Sequence, residues 1–185
     1  SVANAGMIRA GGTYTVASGV FMFQGGTVSN AASGTIAGPT GIAIANGPGA
    51  VSNAGLIGSA SGAGSGVIMS AGAVTNLSTG TIQGNSGVAL GSAGSIVAAT
   101  VDNAGIIRGA YGDETASGVG IASGGTIVNR AGGRISGAAG VRALADTTVD
   151  NAGTISSGGT GSPAAAVLML SSGLITNRAS GVVTG

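Results

Sequence analysis

The sequence predicts an all-β chain: a single-stranded parallel β-helix (β-solenoid) of about eight coils with three short strands per coil, continuous over residues 1–185. Three observations carry this. A β-branched aliphatic residue, a variable residue and Asn recur as a tripeptide eight times. Apolar residues alternate with period two in three short segments of each repeat, which is the period of strands and not of helices. The stretches between are rich in Gly, Ser and Asn, and with 40 glycines and 2% aromatic residues the chain must fill its interior with thin layers of Val, Ile, Ala, Met and Leu. Abundant Gly, Ser and Ala would also fit a disordered coil, but the positional order is too strict for one.

The first strand of each coil ends on the recurrent Asn: Asn4, Asn30, Asn53, Asn76, Asn103, Asn129, Asn151 and Asn177, at spacings of 26, 23, 23, 27, 26, 22 and 26 residues. The residue two before it is Val2, Val28, Val51, Val74, Val101, Ile127, Val149 or Ile175, expected to form one buried column. A second strand follows a glycine and carries a second expected buried column: Ile8, Ile36, Ile57, Ile82, Ile107, Ile135, Ile155 and Val183. The third lies midway to the next Asn, where Val20/Met22, Ile42/Ile44, Val67/Met69, Val88/Leu90, Val119/Ile121, Val141/Ala143 and Val167/Met169 alternate with outward residues. One coil cannot bury its apolar face alone, so coils stack at about 4.8 Å, and eight of them make a rod about 38 Å long. The crossover preference of parallel strands favours right-handed winding.

The array has a finer period. The glycine comes two residues after Asn4, Asn53, Asn103 and Asn151 but four after Asn30, Asn76, Asn129 and Asn177, so short and long corners alternate and the repeating unit is a pair of coils.

Composition closes off much chemistry. His, Cys and Lys are absent, and the basic residues are Arg9, Arg108, Arg130, Arg134, Arg142 and Arg178. No Ser-His-Asp or Cys-His nucleophile, imidazole or thiolate metal site, P-loop lysine or Schiff base can be assembled. No cofactor is expected. A net charge of +1 without a basic cluster argues against nucleic acid as a partner. The longest apolar run, 164–170, is far short of the roughly 20 residues of a membrane-spanning helix.

Few residues remain that could carry a function. The Asn column could be a ligand ladder, but stacked amides bonded along the axis are the simpler role. Asp102 and Asp150 occupy the outward position before their Asn, two coils or about 9.6 Å apart, near the separation of an inverting glycosidase pair. Val128 stands between them and no third acid lies nearby, so solvated surface charge is the simpler reading. Gly62, Gly64 and Gly66 lack the lysine of a phosphate loop, and the outward Thr35, Thr81 and Thr154 are interrupted by other residues, which breaks an ice-binding column. The outward third-strand series Phe21, Ala43, Ile68, Ala89, Gly120, Arg142, Leu168 carries three large apolar residues, Phe21, Ile68 and Leu168, that are candidates for a lateral contact. Tyr14 and Tyr111, beside Arg9 and Arg108 and, for the latter, Asp113 and Glu114, are candidates for a partner-facing knob on the longer loops.

The units Val51-Ser52-Asn53-Ala54-Gly55-Leu56-Ile57-Gly58 and Val149-Asp150-Asn151-Ala152-Gly153-Thr154-Ile155-Ser156 resemble the V-x-N-x-G-x-I repeats of bacterial autotransporter passenger domains. They are more distantly similar to the haemagglutinin-type repeats of two-partner secreted adhesins. The resemblance covers essentially the whole chain. It implies export to the bacterial cell surface and a non-catalytic rod for adhesion or self-association, its partner another copy, end to end or lateral, or a component of a host or neighbouring cell. Two alternatives stand beside it: a subunit of an extracellular filament growing end to end, and a carbohydrate-active enzyme of the pectinase kind. The chain starts and stops within the repeat phase, so a segment of a longer array is expected.

Overall fold

A computed structural model describes residues 1–11, 17–59, 62–92, 97–113, 115–158 and 165–185. Every strand pairing in it is parallel and runs from one coil to the next. The Asn strands stack in the order Val2–Asn4, Gly26–Asn30, the end of Thr40–Asn53, the end of Val67–Asn76, Ala99–Asn103, Gly125–Asn129, Thr147–Asn151 and Gly173–Asn177. Asn meets Asn in every register. The second strands form a separate sheet from Met7–Arg9 to Val182–Thr184, with Ile facing Ile until the last rung, where Val183 meets Ile155.

The third strands number seven among the described residues, from Ser18–Met22 to Val167–Met169, so the rod has seven complete turns and an eighth with two strands, where eight three-stranded coils were expected. Coils are numbered here 1 to 8 by their Asn. The three strands are not always separate, either. In coils 2 and 3 the third strand runs straight into the next Asn strand, as Thr40–Asn53 and Val67–Asn76. The first of these turns its corner through a register shift between Ile44 and Pro48, where Asn46 takes a left-handed φ of 53°. Asn tolerates that conformation better than other residues with a Cβ.

All three inward columns are buried through the middle of the rod, with Val28, Ile36, Ile57, Val74, Ile82, Ile107, Ile127, Ile135 and Ile155 fully shielded. The end coils differ from expectation. Val2 and Ile8 are half-buried, and Ile175 and Val183 are exposed at 46% and 40%, because a solenoid residue is covered by the coils above and below it and these have a neighbour on one side only.

Two glycine columns set how closely the corners stack. A Cβ on Gly105 would lie 2.3 Å from the carbonyl oxygen of Gly80, and one on Gly55 2.2 Å from that of Gly34. The glycine of N-x-G is therefore required by the coil beneath it, and Gly6 of coil 1, which has none, is free of such contacts. A second column, Gly19, Gly41, Gly66, Gly87, Gly118 and Gly140, stands immediately before the first inward aliphatic of the third strand. A Cβ on Gly41 would meet the carbonyl oxygen of Gly66 at 2.4 Å and Cγ2 of Ile57 at 2.8 Å. This column was not read from the sequence, although a glycine immediately before the first aliphatic of the third strand is its visible signature.

Candidate functional site

The most regular polar feature is internal. Asn4 Nδ2 donates to Asn30 Oδ1, and the same bond repeats through Asn53, Asn76, Asn103, Asn129, Asn151 and Asn177 at 2.8–2.9 Å. Each amide also donates to a backbone carbonyl at its own corner or in the next coil, such as Asn103 to Gly105 at 3.1 Å. At the short corners of coils 1 and 3 the oxygen accepts from the glycine N–H, Asn4 Oδ1 from Gly6 and Asn53 Oδ1 from Gly55, each at 3.2 Å. From Asn4 to Asn151 the column is buried, and only Asn177 is exposed. Each buried amide donates to the next Asn and to a backbone carbonyl and its oxygen accepts within the stack, which is the bonding of a structural ladder.

The alternation of corners has a physical basis. The long corner is a hydrogen-bonded turn, Gly34 N–H to Ala31 carbonyl and Gly80 N–H to Leu77 carbonyl, both 2.8 Å. Its hydroxyl reaches down to the short corner beneath: Ser33 to Ala5, Thr79 to Ala54 and Ser180 to Ala152, at 2.7, 2.7 and 2.9 Å. In coil 6 that position is Gly132, with φ +83°. Three of the four long corners thus fasten by a hydroxyl onto the short one before them.

Asp102 and Asp150 belong to the same pairing. Arg130, one residue past its Asn in coil 6, grips Asp102 of coil 5 through Nε and Nη2 at 2.6 Å each. Arg178 of coil 8 grips Asp150 of coil 7 in the same bidentate way. The strand register places Val128 between the two acids, as the sequence implied. The Arg178 hydrogen bond holds Asp150 below its ordinary value of 3.8, against an upward push from desolvation, and raises the guanidinium in turn. A general acid needs a raised pKa and a free proton, so this environment points Asp150 away from that role.

Of the proposed knob, Tyr14 and Glu114 lie outside the described residues. Asp113 accepts from the Thr115 hydroxyl at 2.6 Å, the Thr115 N–H at 2.8 Å and the Asn85 amide at 2.8 Å, which together hold its pKa below 3.8. It pins its own loop to coil 4 and is not a free partner-facing acid. Tyr111 is half exposed, its ring so close over Gly158 that a Cβ there would sit 2.6 Å from it. Arg108, Gln83 and Ser59 line the shallow depression beside Tyr111.

The third-strand face gathers the remaining candidates. Phe21 is 61% exposed and stands 6.4 Å, centroid to centroid, from the equally exposed Phe23. Ile68 is 44% exposed, whereas Leu168 is half-buried and not the fully outward residue expected, Leu170 beyond it being the exposed one. Between these large residues lie two hollows. One is lined by Ala43, Ala45, Ile68 and Ser70, the other by Ala89, Gly120, Ala122, Arg142 and Leu144. Phe23, Leu144 and Leu170 were missed in the sequence because they sit one step past the strand, where alternation no longer identifies the outward side.

No family model, curated protein or solved structure matches the chain.

Proposed function

We propose that this chain is the rod of a secreted bacterial cell-surface protein, a non-catalytic scaffold of the autotransporter-passenger kind that holds an adhesive or self-associating surface away from the cell. The observation that carries it is the use made of the polar side chains. The Asn ladder is consumed inside the stack, and Asp102, Asp150 and Asp113 are each engaged in fastening one coil to the next. What the repeat maintains over seven turns is an in-register stack and an exposed lateral face, which is the task of a spacer. Resemblance to V-x-N-x-G-x-I repeats supplies the cell-surface setting.

Two measurements test the reading. Antibody raised against the purified chain should label intact cells of the bacterium that encodes it and be lost after mild protease shaving. Label seen only after permeabilisation would overturn the surface assignment. Incubation with pectate, other plant polysaccharides and peptidoglycan should release no reducing ends above blank; turnover abolished by Asp102→Asn or Asp150→Asn would replace the rod with an enzyme.

A further inference from the structure

We infer that the third-strand face is a self-complementary interface through which two copies of this chain pack antiparallel, coil 1 over coil 7, coil 2 over coil 6, coil 3 over coil 5 and coil 4 over itself. The inference deepens the rod reading by naming its partner. It rests on the rod geometry, not on the cellular location.

The face consists of two outward columns. One is the series from Phe21 to Leu168, fixed in register by the strand pairing. The other is the next outward position, Phe23, Ala45, Ser70, Gly91, Ala122, Leu144 and Leu170, whose later members continue the ladder through backbone bonds such as Leu144 N–H to Ile121 carbonyl at 2.9 Å. A two-fold axis lying in the face, along the strands at coil 4, reverses the order of coils and lays each column on itself.

Under that operation large residues meet small ones. Ile68 of coil 3 falls on Gly120 of coil 5, inside the second hollow. Leu144 of coil 6 falls on Ala45 of coil 2, inside the first. Each hollow thus receives the side chain that walls the other. At the axis, Ala89 and Gly91 meet their own copies and permit close approach, while Phe21 and Phe23 cover Leu168 and Leu170 at each end. Shape matching of this kind, repeated by symmetry, is what an isologous contact requires.

Charge selects the same arrangement. The two columns carry one charged side chain, Arg142. Packing the same faces with the rods parallel requires a two-fold along the rod axis, which swaps the two columns within each rung: Arg142 then meets Leu144 with both guanidinium groups in one rung, Phe21 meets Phe23 and Gly120 meets Ala122, leaving both hollows empty. Antiparallel packing places Arg142 over Ala43 and keeps the two guanidinium groups four rungs, about 19 Å, apart, beyond the roughly 8 Å screening length at physiological salt. Seven rungs at about 4.8 Å and five residues at about 3.3 Å give a footprint of roughly 500 Å² per copy, or about 1,000 Å² in all, the lower bound for a specific contact. The association is therefore weak and reversible.

Sedimentation equilibrium of the purified chain should show a monomer–dimer equilibrium with Kd on the order of 10–500 μM. Ala43→Arg, which sets a cation against Arg142 of the other copy, should weaken it about tenfold or more, and Ala43→Glu should tighten it at low salt and lose that gain near 1 M salt, where the screening length is roughly 3 Å. The chain has no cysteine, so Ala89→Cys should cross-link to itself with a short bis-maleimide and Ala43→Cys should not. An unchanged thermal melt for each variant excludes misfolding as the cause. Monomer up to about 1 mM would overturn the interface; so would a dimer indifferent to Ala43→Arg, or one cross-linked through Ala43 as readily as through Ala89.

Discussion

At the scale of single residues, the ladder concentrates consequence in one functional group. Replacing the Asn103 amide with a carboxylate removes the donor to Asn129 Oδ1 and sets oxygen against oxygen at a fully buried position. A buried group left without its partner costs about 1–3 kcal/mol, and more when charged. Asn103→Asp should therefore lower stability by at least about 3 kcal/mol in urea denaturation at pH 7. Asn177→Asp, exposed on the last rung, is the control and should cost a small fraction of that. The same logic at the surface gives a pH dependence. Asp150 has its pKa depressed in the folded protein, so the contribution of its bond to Arg178 is fully present above the ordinary carboxylate value of 3.8 and fades as pH falls through the lower, folded value. Carboxyl-resolved NMR titration should find Asp150 titrating below 3.8, and Arg178→Ala should return it upward.

At the scale of the element, the corner and not the strand is the demanding part. Strand positions ask only for a β-branched or aliphatic residue of suitable volume, and Val, Ile, Leu and Met interchange along the columns. The corner glycines do not tolerate exchange, because backbone of the neighbouring coil fills the space a Cβ needs and parallel pairing prevents that coil from moving away. Gly105→Ala should lower the thermal midpoint by about 2–12 °C, as overpacking against backbone costs about 1–3 kcal/mol. Gly6→Ala, with open space where its Cβ would stand, should be neutral. Equal melts for the two variants would show that the glycines serve chain flexibility and not coil spacing.

At the scale of the whole molecule, stability should follow pairs of coils. Removing residues 104–151 joins Asn103 to Ala152, keeps the alternation of corners, and brings Arg178 one rung above Asp102 in place of Arg130. Removing 104–129 joins Asn103 to Arg130 and sets two long corners in succession, with Thr75 and no longer Asp102 one rung beneath Arg130. A repeat protein is roughly a sum of its units and their interfaces. The pair deletion should therefore melt close to the parent and give a shorter particle by small-angle scattering, while the single-coil deletion, though it removes fewer residues, should melt lower. The reverse order would mean that the coil pair is a trace of duplication without energetic meaning.

The sequence by itself determined the parts of this protein that are written once per coil. Inward aliphatics, the Asn column, the strand order and the two-coil period were all legible, because each is repeated and a stack of identical layers converts sequence period directly into contact. Tertiary structure decided what depends on which layer lies next to which. Only the stacked coils show that Asp102 and Asp150 are held by Arg130 and Arg178, 28 residues away in each case, so that each acid ties its own coil to the next. They also decide that Asp113 anchors a loop to Asn85, that Leu168 is shielded while Phe23 and Leu144 stand out, and that Ile175 and Val183 lose their cover. The physical reason is common to all of these. Alternation within a strand says which way a side chain points, but burial and pairing are set by neighbours one coil away, and those are fixed only when the corners have closed and the coils have come into register.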